Sequence, residues 1–433
     1  MTNNKRIIGW GLLLLFILMP FSTEAAPKKE LEFTEVKLNN GITLKYKVLK
    51  DEPLVSMYTV FPIGMNKEKT KGIAHLMEHL VFRGGYGYGF GDIAAVTSRK
   101  GGYFNGFTSF DVTAYNYVSP KEKFEEAFKV FNGSIWNTDL SETLIALERK
   151  IVVHELDMDY EGHLPYYPVY RYFYPEISYT KETVDAISAQ DLREFHQTYY
   201  QPGNATYILA GDFDPQIVIA QLEQVTNGFG ESETPKEDLV EFNLPVGEIV
   251  EKRNIYPYHY QLLMGYEMEG ISEADRMVIK LLAYNYGLNY RIDYYKNQYK
   301  FYYTITRTLG NKDFFGIYYL ERDQEYSEEN LMAEKERMIN FFRQFKKGDF
   351  KEQVTNFIEL IELEQVSSVK SAVDAVEYEL QRLLDGSITV DDLPVLKNLS
   401  VKDLERVMQQ YFSKPPQTWI LVNNQEEEGK SIE

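Results

Sequence analysis

Two stretches of this chain repeat each other. Residues 187–212 read ISAQDLREFHQTYYQPGNATYILAGD, and residues 399–424 read LSVKDLERVMQQYFSKPPQTWILVNN, at a constant offset of 212 with no gap. Ser188/Ser400, Asp191/Asp403, Leu192/Leu404, Gln197/Gln409, Tyr199/Tyr411, Thr206/Thr418, Ile208/Ile420 and Leu209/Leu421 are identical pairs. Each copy predicts a helix opened by a Ser-x-x-Asp cap, a turn containing Pro, and an apolar strand. The offset is near half of the 433 residues. A duplication is therefore the simplest reading, and it restricts the fold to two copies of one architecture.

The expected class is α+β: two duplicated domains, each a mostly antiparallel sheet covered by helices. Asn39-Asn40-Gly41 between alternating runs signals a hairpin. Strands are expected at 32–38, 42–49, 54–62, 107–118 and 204–210, and helices at 71–83, 92–100, 121–135, 141–158, 188–200 and 214–226. The second half predicts helices near 272–286, 326–346, 350–364, 368–385 and 401–412, with strands near 299–309, 314–321 and 417–423. The acidic, Gly- and Pro-containing stretch around 231–245 reads as the linker. The expected domains are thus 27–230 and 246–433.

Residues 1–26 carry a secretion pattern instead of a fold. Lys5 and Arg6 precede an apolar run from Ile7 to Phe21, and small residues at Ala25 and Ala26 suit cleavage. The run is short for a membrane span. Export to a bacterial periplasm is the expectation; secretion, or anchoring by an uncleaved segment, is the alternative. The absence of Cys suits export without oxidative folding, and it excludes thiol catalysis and Cys-ligated metals. The net charge of −19, from 46 basic and 65 acidic residues, argues against nucleic acid as a partner.

The chemistry is concentrated in GIAHLMEHLVFRGG, residues 72–85. Ile73, Leu76, Met77, Leu80 and Val81 recur with helical spacing and form one apolar face. His75, Glu78 and His79 fall opposite. The two His are i, i+4 neighbours that can reach one ion, and Glu78 beside them can hold a water without being a ligand. Two His, a carboxylate from elsewhere and one open position form a catalytic zinc pattern. With only six His in the chain, chance supplies about 0.01 such strings. For the third ligand, SETLIALERKIVVHELD at 141–157 offers Glu148 and Glu155 on one face, two turns apart. By residue type alone these are two of many acids, and His154 and His163 compete with them.

The sequence resembles the insulinase-type, or pitrilysin-type, zinc peptidases, which carry an inverted His-x-x-Glu-His motif. In that family the third ligand is a Glu about 76 residues beyond the second His, within a Glu-x6-Glu pair. Glu155 lies 76 residues beyond His79, and Glu148 precedes it with that spacing. NGFTSFDVTAY (105–115) resembles the family's Asn-x-x-Thr segment, and DLREFHQTYYQPGNATYILAGD its helix, turn and strand. The likeness is strong over about 31–215 and architectural over 246–424.

The resemblance implies one zinc per chain on His75, His79 and Glu155, with Glu78 as general base. It gives Glu148 the part of a carboxylate supporting a ligand, and Asn105 that of a hydrogen bond to substrate backbone. The implied reaction is hydrolysis of peptides or unfolded segments. The alternative is a non-catalytic peptide-binding or assembly subunit on the same fold. The second half lacks the motif; its one His is His259. Family members grip substrate with an Arg and a Tyr from a second two-domain unit. Arg291 and Tyr303 lie in the comparable segment, but Asn297-Gln298 stands where an Arg-Glu pair is usual, and neither is assigned. A second two-domain subunit is therefore expected, with a heterodimer favoured over a homodimer. GGYGYGFGD (84–92) follows a helix, not a strand, and reads as a connection, not a nucleotide loop.

Overall fold

The structure is a computed structural model. It describes residues 32–85, 101–159, 179–229, 247–253, 258–296, 300–309, 312–321, 326–343, 347–367, 371–384 and 390–423, with 87, 89, 91 and 98 as isolated positions. The expected secretion segment, the 231–245 linker, most of the 92–100 helix and His163 lie outside the described residues.

The first half builds β1 (Thr34–Lys37), β2 (Thr43–Val48), β3 (Leu54–Phe61), α1 (Ile73–Val81), β4 (Tyr103–Thr108), β5 (Thr113–Pro120), α2 (Phe124–Trp136), α3 (Glu142–Asp159), α4 (Lys181–Ala186), α5 (Ala189–Tyr199), β6 (Thr206–Gly211) and α6 (Pro215–Val225). Its sheet runs β1-β2-β6-β3-β5-β4, antiparallel except for β2 with β6. The Asn39–Gly41 signal marks the β1–β2 hairpin, with Lys37 opposite Thr43 and the Asn40 side chain accepting from Ile42 N at 3.1 Å. The expected single strand 107–118 is instead a hairpin of β4 and β5. Ser109, Phe110 and Asp111 make its turn: Ser109 N donates to Val112 O at 2.8 Å, and Asn66 Nδ2 donates to Asp111 Oδ1 at 2.5 Å. The apolar pattern continues through that turn, because Phe110 is itself buried, so periodicity alone does not mark the break.

The second half supplies β7 (Glu248–Arg253), β8 (Tyr260–Glu269), α7 (Glu273–Lys296), β9 (Lys300–Leu309), β10 (Lys312–Glu321), α8 (Glu328–Arg343), α9 (Phe350–Ser367), α10 (Ala372–Leu383), α11 (Leu393–Asn398), α12 (Val401–Gln410) and β11 (Gln417–Asn423). Its sheet runs β7-β11-β8-β10-β9. The repeat is visible as structure. Strand β6 is parallel to β2 and antiparallel to β3; β11 is parallel to β7 and antiparallel to β8. The preceding helices open alike, with Asp191 Oδ2 accepting from Ser188 N at 2.8 Å and Asp403 Oδ2 from Ser400 N at 2.9 Å. Sequence patterning missed β8, the centre of this sheet. Gly265 interrupts it and sits opposite Gly316 of β10, and glycine weakens a strand signal.

Strand β3 is buried on both faces. One face joins the core formed with α1 and α2, through Met57 and Phe61 against Leu76, Met77, Phe131 and Trp136. The other face is covered from the second half. Ala372, Ala375, Val376 and Leu380 of α10 pack on Tyr58, Val60, Ala114, Ile208 and Ala210. Tyr58 OH donates to Glu377 at 2.7 Å, and Lys45 Nζ to the buried Glu379 at 2.9 Å. Two-sided cover explains why LVSMYTVF carries apolar residues on both faces instead of alternating apolar with charged ones. Among the described residues no helix is long and apolar enough to cross a membrane.

Candidate metal centre

Helix α1 begins abruptly. Gly72, at φ 89°, turns the chain into it, and the buried Glu68 caps its first turn, accepting from Gly72 N and Ala74 N at 2.8 Å each. Burial pushes the Glu68 carboxyl up to about 7, against the two backbone donors that favour its charge. The apolar face of α1 is fully buried as its spacing predicts, and the helix ends at Val81, two residues short of the expected 83. Helix α3 packs alongside and brings Glu148 and Glu155 to the polar face of α1.

The geometry joins His75, His79 and Glu155. Glu155 Oε2 lies 3.3 Å from His75 Nε2 and 3.3 Å from His79 Nε2, and one donor atom from each residue falls within 4.8 Å of the others. Two donors held about 2.0–2.2 Å from one tetrahedral ion stand about 3.4 Å apart, so this set fits zinc. Both imidazoles turn Nε2 inward, and each Nδ1 is engaged behind. His79 Nδ1 is 3.2 Å from Glu148 Oε2; His75 Nδ1 is 2.6 Å from Tyr179 OH. Glu148 is completely buried and also pairs with Arg83 Nε at 2.8 Å. Burial opposes a charged His79, but Glu148 and Glu155 outweigh it and push its pKa up to about 9. Burial likewise opposes charge on Glu155, yet the two imidazoles hold its carboxyl well below the usual range.

Glu78 sits between the donors and the sheet. It is buried, and Thr108 Oγ1 of β4 donates to its Oε2 at 2.8 Å. A Cβ on Gly106 would come within 2.9 Å of Glu78 Oε1, so only glycine lets β4 run this close. Asn105 lies on the same strand but on the opposite face from Gly106 and Thr108, and it is exposed. The structure therefore does not bring its side chain to the donor set. His154 is exposed on α3 and outside the donor group. Arg291 and Tyr303 fall in α7 and β9, where side chains lie outside the described residues.

Sequence reasoning missed four participants. Arg83 follows His79 by four residues, in the turn just past the end of α1, so its i, i+4 spacing could have found it. Thr108 follows Gly106 by two on one strand face, a pairing legible once the strand is known. Glu68 and Tyr179 carry no local signal, since each reaches α1 through a loop.

Residues 55–165 match the family model described as Insulinase (Peptidase family M16), and residues 186–353 match the Peptidase M16 inactive domain. The chain belongs to peptidase family M16. A zinc protease of Helicobacter pylori named PqqE is 27% identical over 229 residues, covering 49% of this chain and 50% of that protein. The match thus spans half the length of that curated relative. A solved protease from Helicobacter pylori superposes with a TM-score of 0.75 at 20% identity, covering 90% of this chain and 99% of that one. The periplasmic protease PqqL from Escherichia coli gives 0.69 at 14% identity, covering 93% and 49%. At these identities the structures establish a shared M16 fold.

Two outcomes follow from this geometry. Glu155→Gln is expected to retain zinc markedly less well than wild type in metal analysis after dialysis; equal retention would move the third donor to another acid. Glu68 gives a pH signature. Its folded-state pKa, about 7, lies above its ordinary value of 4.5, so its contribution to stability is fullest below about pH 4.5 and is lost as pH rises through about 7. Calorimetry from pH 5 to 8 should show a smaller loss of Tm in Glu68→Gln than in wild type, and parallel slopes would remove Glu68 as the cause.

Proposed function

We propose that this chain is a zinc-dependent peptidase acting on peptides or unfolded segments, with one zinc held by His75, His79 and Glu155. The observation that carries the reading is the position of Glu78. It lies next to a three-donor set and against β4, the last strand of its sheet. When bound, zinc supplies Lewis acidity, lowering the pKa of water to about 7. Glu78 takes the proton of the attacking water and passes it to the leaving amine. The Thr108 hydroxyl fixes one oxygen of Glu78 for that task, and Glu148 holds His79 from behind. An extended peptide adding to the outer edge of β4, which pairs with no further strand among the described residues, would be read through its main chain. Exposed Asn105 offers an amide to that peptide on the face away from Glu78.

Export is part of the same proposal: the apolar run from Ile7 to Phe21 supports it, as does the periplasmic description of the Escherichia coli neighbour. The second half holds no counterpart of the donor set among the described residues, and the 186–353 match is to an inactive domain. We therefore read it as a non-catalytic partner of the first half, and pairing with a second two-domain subunit completes the substrate grip.

Glu78→Gln is expected to keep its zinc and to lose peptide hydrolysis by about 10²–10⁴-fold. A quenched fluorescent peptide reports the rate, and near-normal turnover in the zinc-loaded variant would take the general-base role from Glu78. For assembly, peptide cleavage across size-exclusion fractions should follow a dimer, formed with a second subunit or with itself. Full activity in a monomer peak would sink the pairing.

A further inference from the structure

We propose that Tyr179 is a positioning residue for the metal donors, its hydroxyl holding the His75 imidazole with Nε2 toward the ion. The inference rests on the zinc reading above and goes beyond it, since Tyr179 lies on neither donor-bearing helix. Its hydroxyl is 2.6 Å from His75 Nδ1, on the opposite edge of the ring from the nitrogen that faces Glu155 at 3.3 Å.

The chemistry requires such a group. A neutral imidazole has one N–H. If the Nε2 lone pair is to face a cation, the proton must sit on Nδ1, and an N–H taken from water needs an acceptor. The phenol oxygen supplies one without adding a negative charge. The two ligands are thus supported differently, His79 by the carboxylate of Glu148 and His75 by a neutral hydroxyl. A hydroxyl has a second property that a carboxylate lacks. It can donate to Nδ1 when Nε2–H points at Glu155, and accept from Nδ1–H when Nε2 faces a cation. It therefore keeps the ring in place in both protonation arrangements.

The side chain is built in. Tyr179 is buried, and Thr180, the next residue, caps α4 in a box with Thr183. Its ring lies over the start of α1: a Cβ on Gly72 would meet Tyr179 Cγ and Cδ2 at 3.1 Å. Gly72 thereby serves twice, admitting the left-handed turn and leaving room for the ring.

The test uses the full chain and zinc competition against a chromogenic chelator, with wild type, Tyr179→Phe, Tyr179→Leu and His75→Ala. Tyr179→Phe keeps the ring against Gly72 and removes only the hydroxyl. It should bind zinc about 10–100-fold more weakly, with the Tm of the metal-free protein nearly unchanged and the visible bands of the cobalt(II) form altered. Wild-type zinc affinity in Tyr179→Phe, with zinc lost in His75→Ala, overturns the positioning role and leaves the donor set standing. Zinc loss in Tyr179→Leu but not in Tyr179→Phe assigns the effect to packing and overturns it too. If Tyr179→Phe also lowers the metal-free Tm, unchanged cobalt bands overturn it. Wild-type affinity in His75→Ala overturns the zinc reading itself.

Discussion

The rear edges of two imidazoles govern what the centre can do. A histidine on a helix surface rotates freely, and two rotating rings do not make a pocket for an ion. Here each Nδ1 is occupied, by Glu148 for one ring and by Tyr179 for the other, so both Nε2 atoms converge on Glu155. These contacts in turn depend on how α3 and Tyr179 pack on α1. The apolar face of α1 sets that packing, with Leu76, Met77 and Leu80 in the core of the first half. Hydrophobic burial supplies the rigidity, and the polar face spends it on orientation.

Much of this was legible before any fold was known, because it is written in local periodicity. His75, Glu78 and His79 lie within one helical turn, and their shared face follows from 100° per residue. Glu148 and Glu155 are likewise two turns apart on one helix. Which of the chain's many acids faces the pair was not local. It depends on α3 packing against α1, and a family resemblance supplied what spacing could not. Glu68 and Tyr179 show the same limit more sharply. Each touches α1 from a loop, and loop geometry has no period to read.

The fold followed the same division. The gapless repeat foretold matching helix–turn–strand units, and these occupy equivalent places in both sheets. The errors fell where residue type and position disagree. A buried Phe110 hid the turn between β4 and β5, and Gly265 interrupts the pattern of the central strand of the second sheet. In both cases tertiary packing overrides the local signal.

Helix α10 carries a consequence for how the chain can be divided. It comes from the half without donors, yet it roofs the back of the sheet that ends in β4. A polypeptide stopped after the first half would turn Tyr58, Val60, Ala114, Ile208 and Ala210 to water as one continuous apolar surface. Surfaces of that kind drive self-association. The second half thus keeps an apolar face of the first out of water, and substitutions on the buried side of α10 reach the sheet that carries β4.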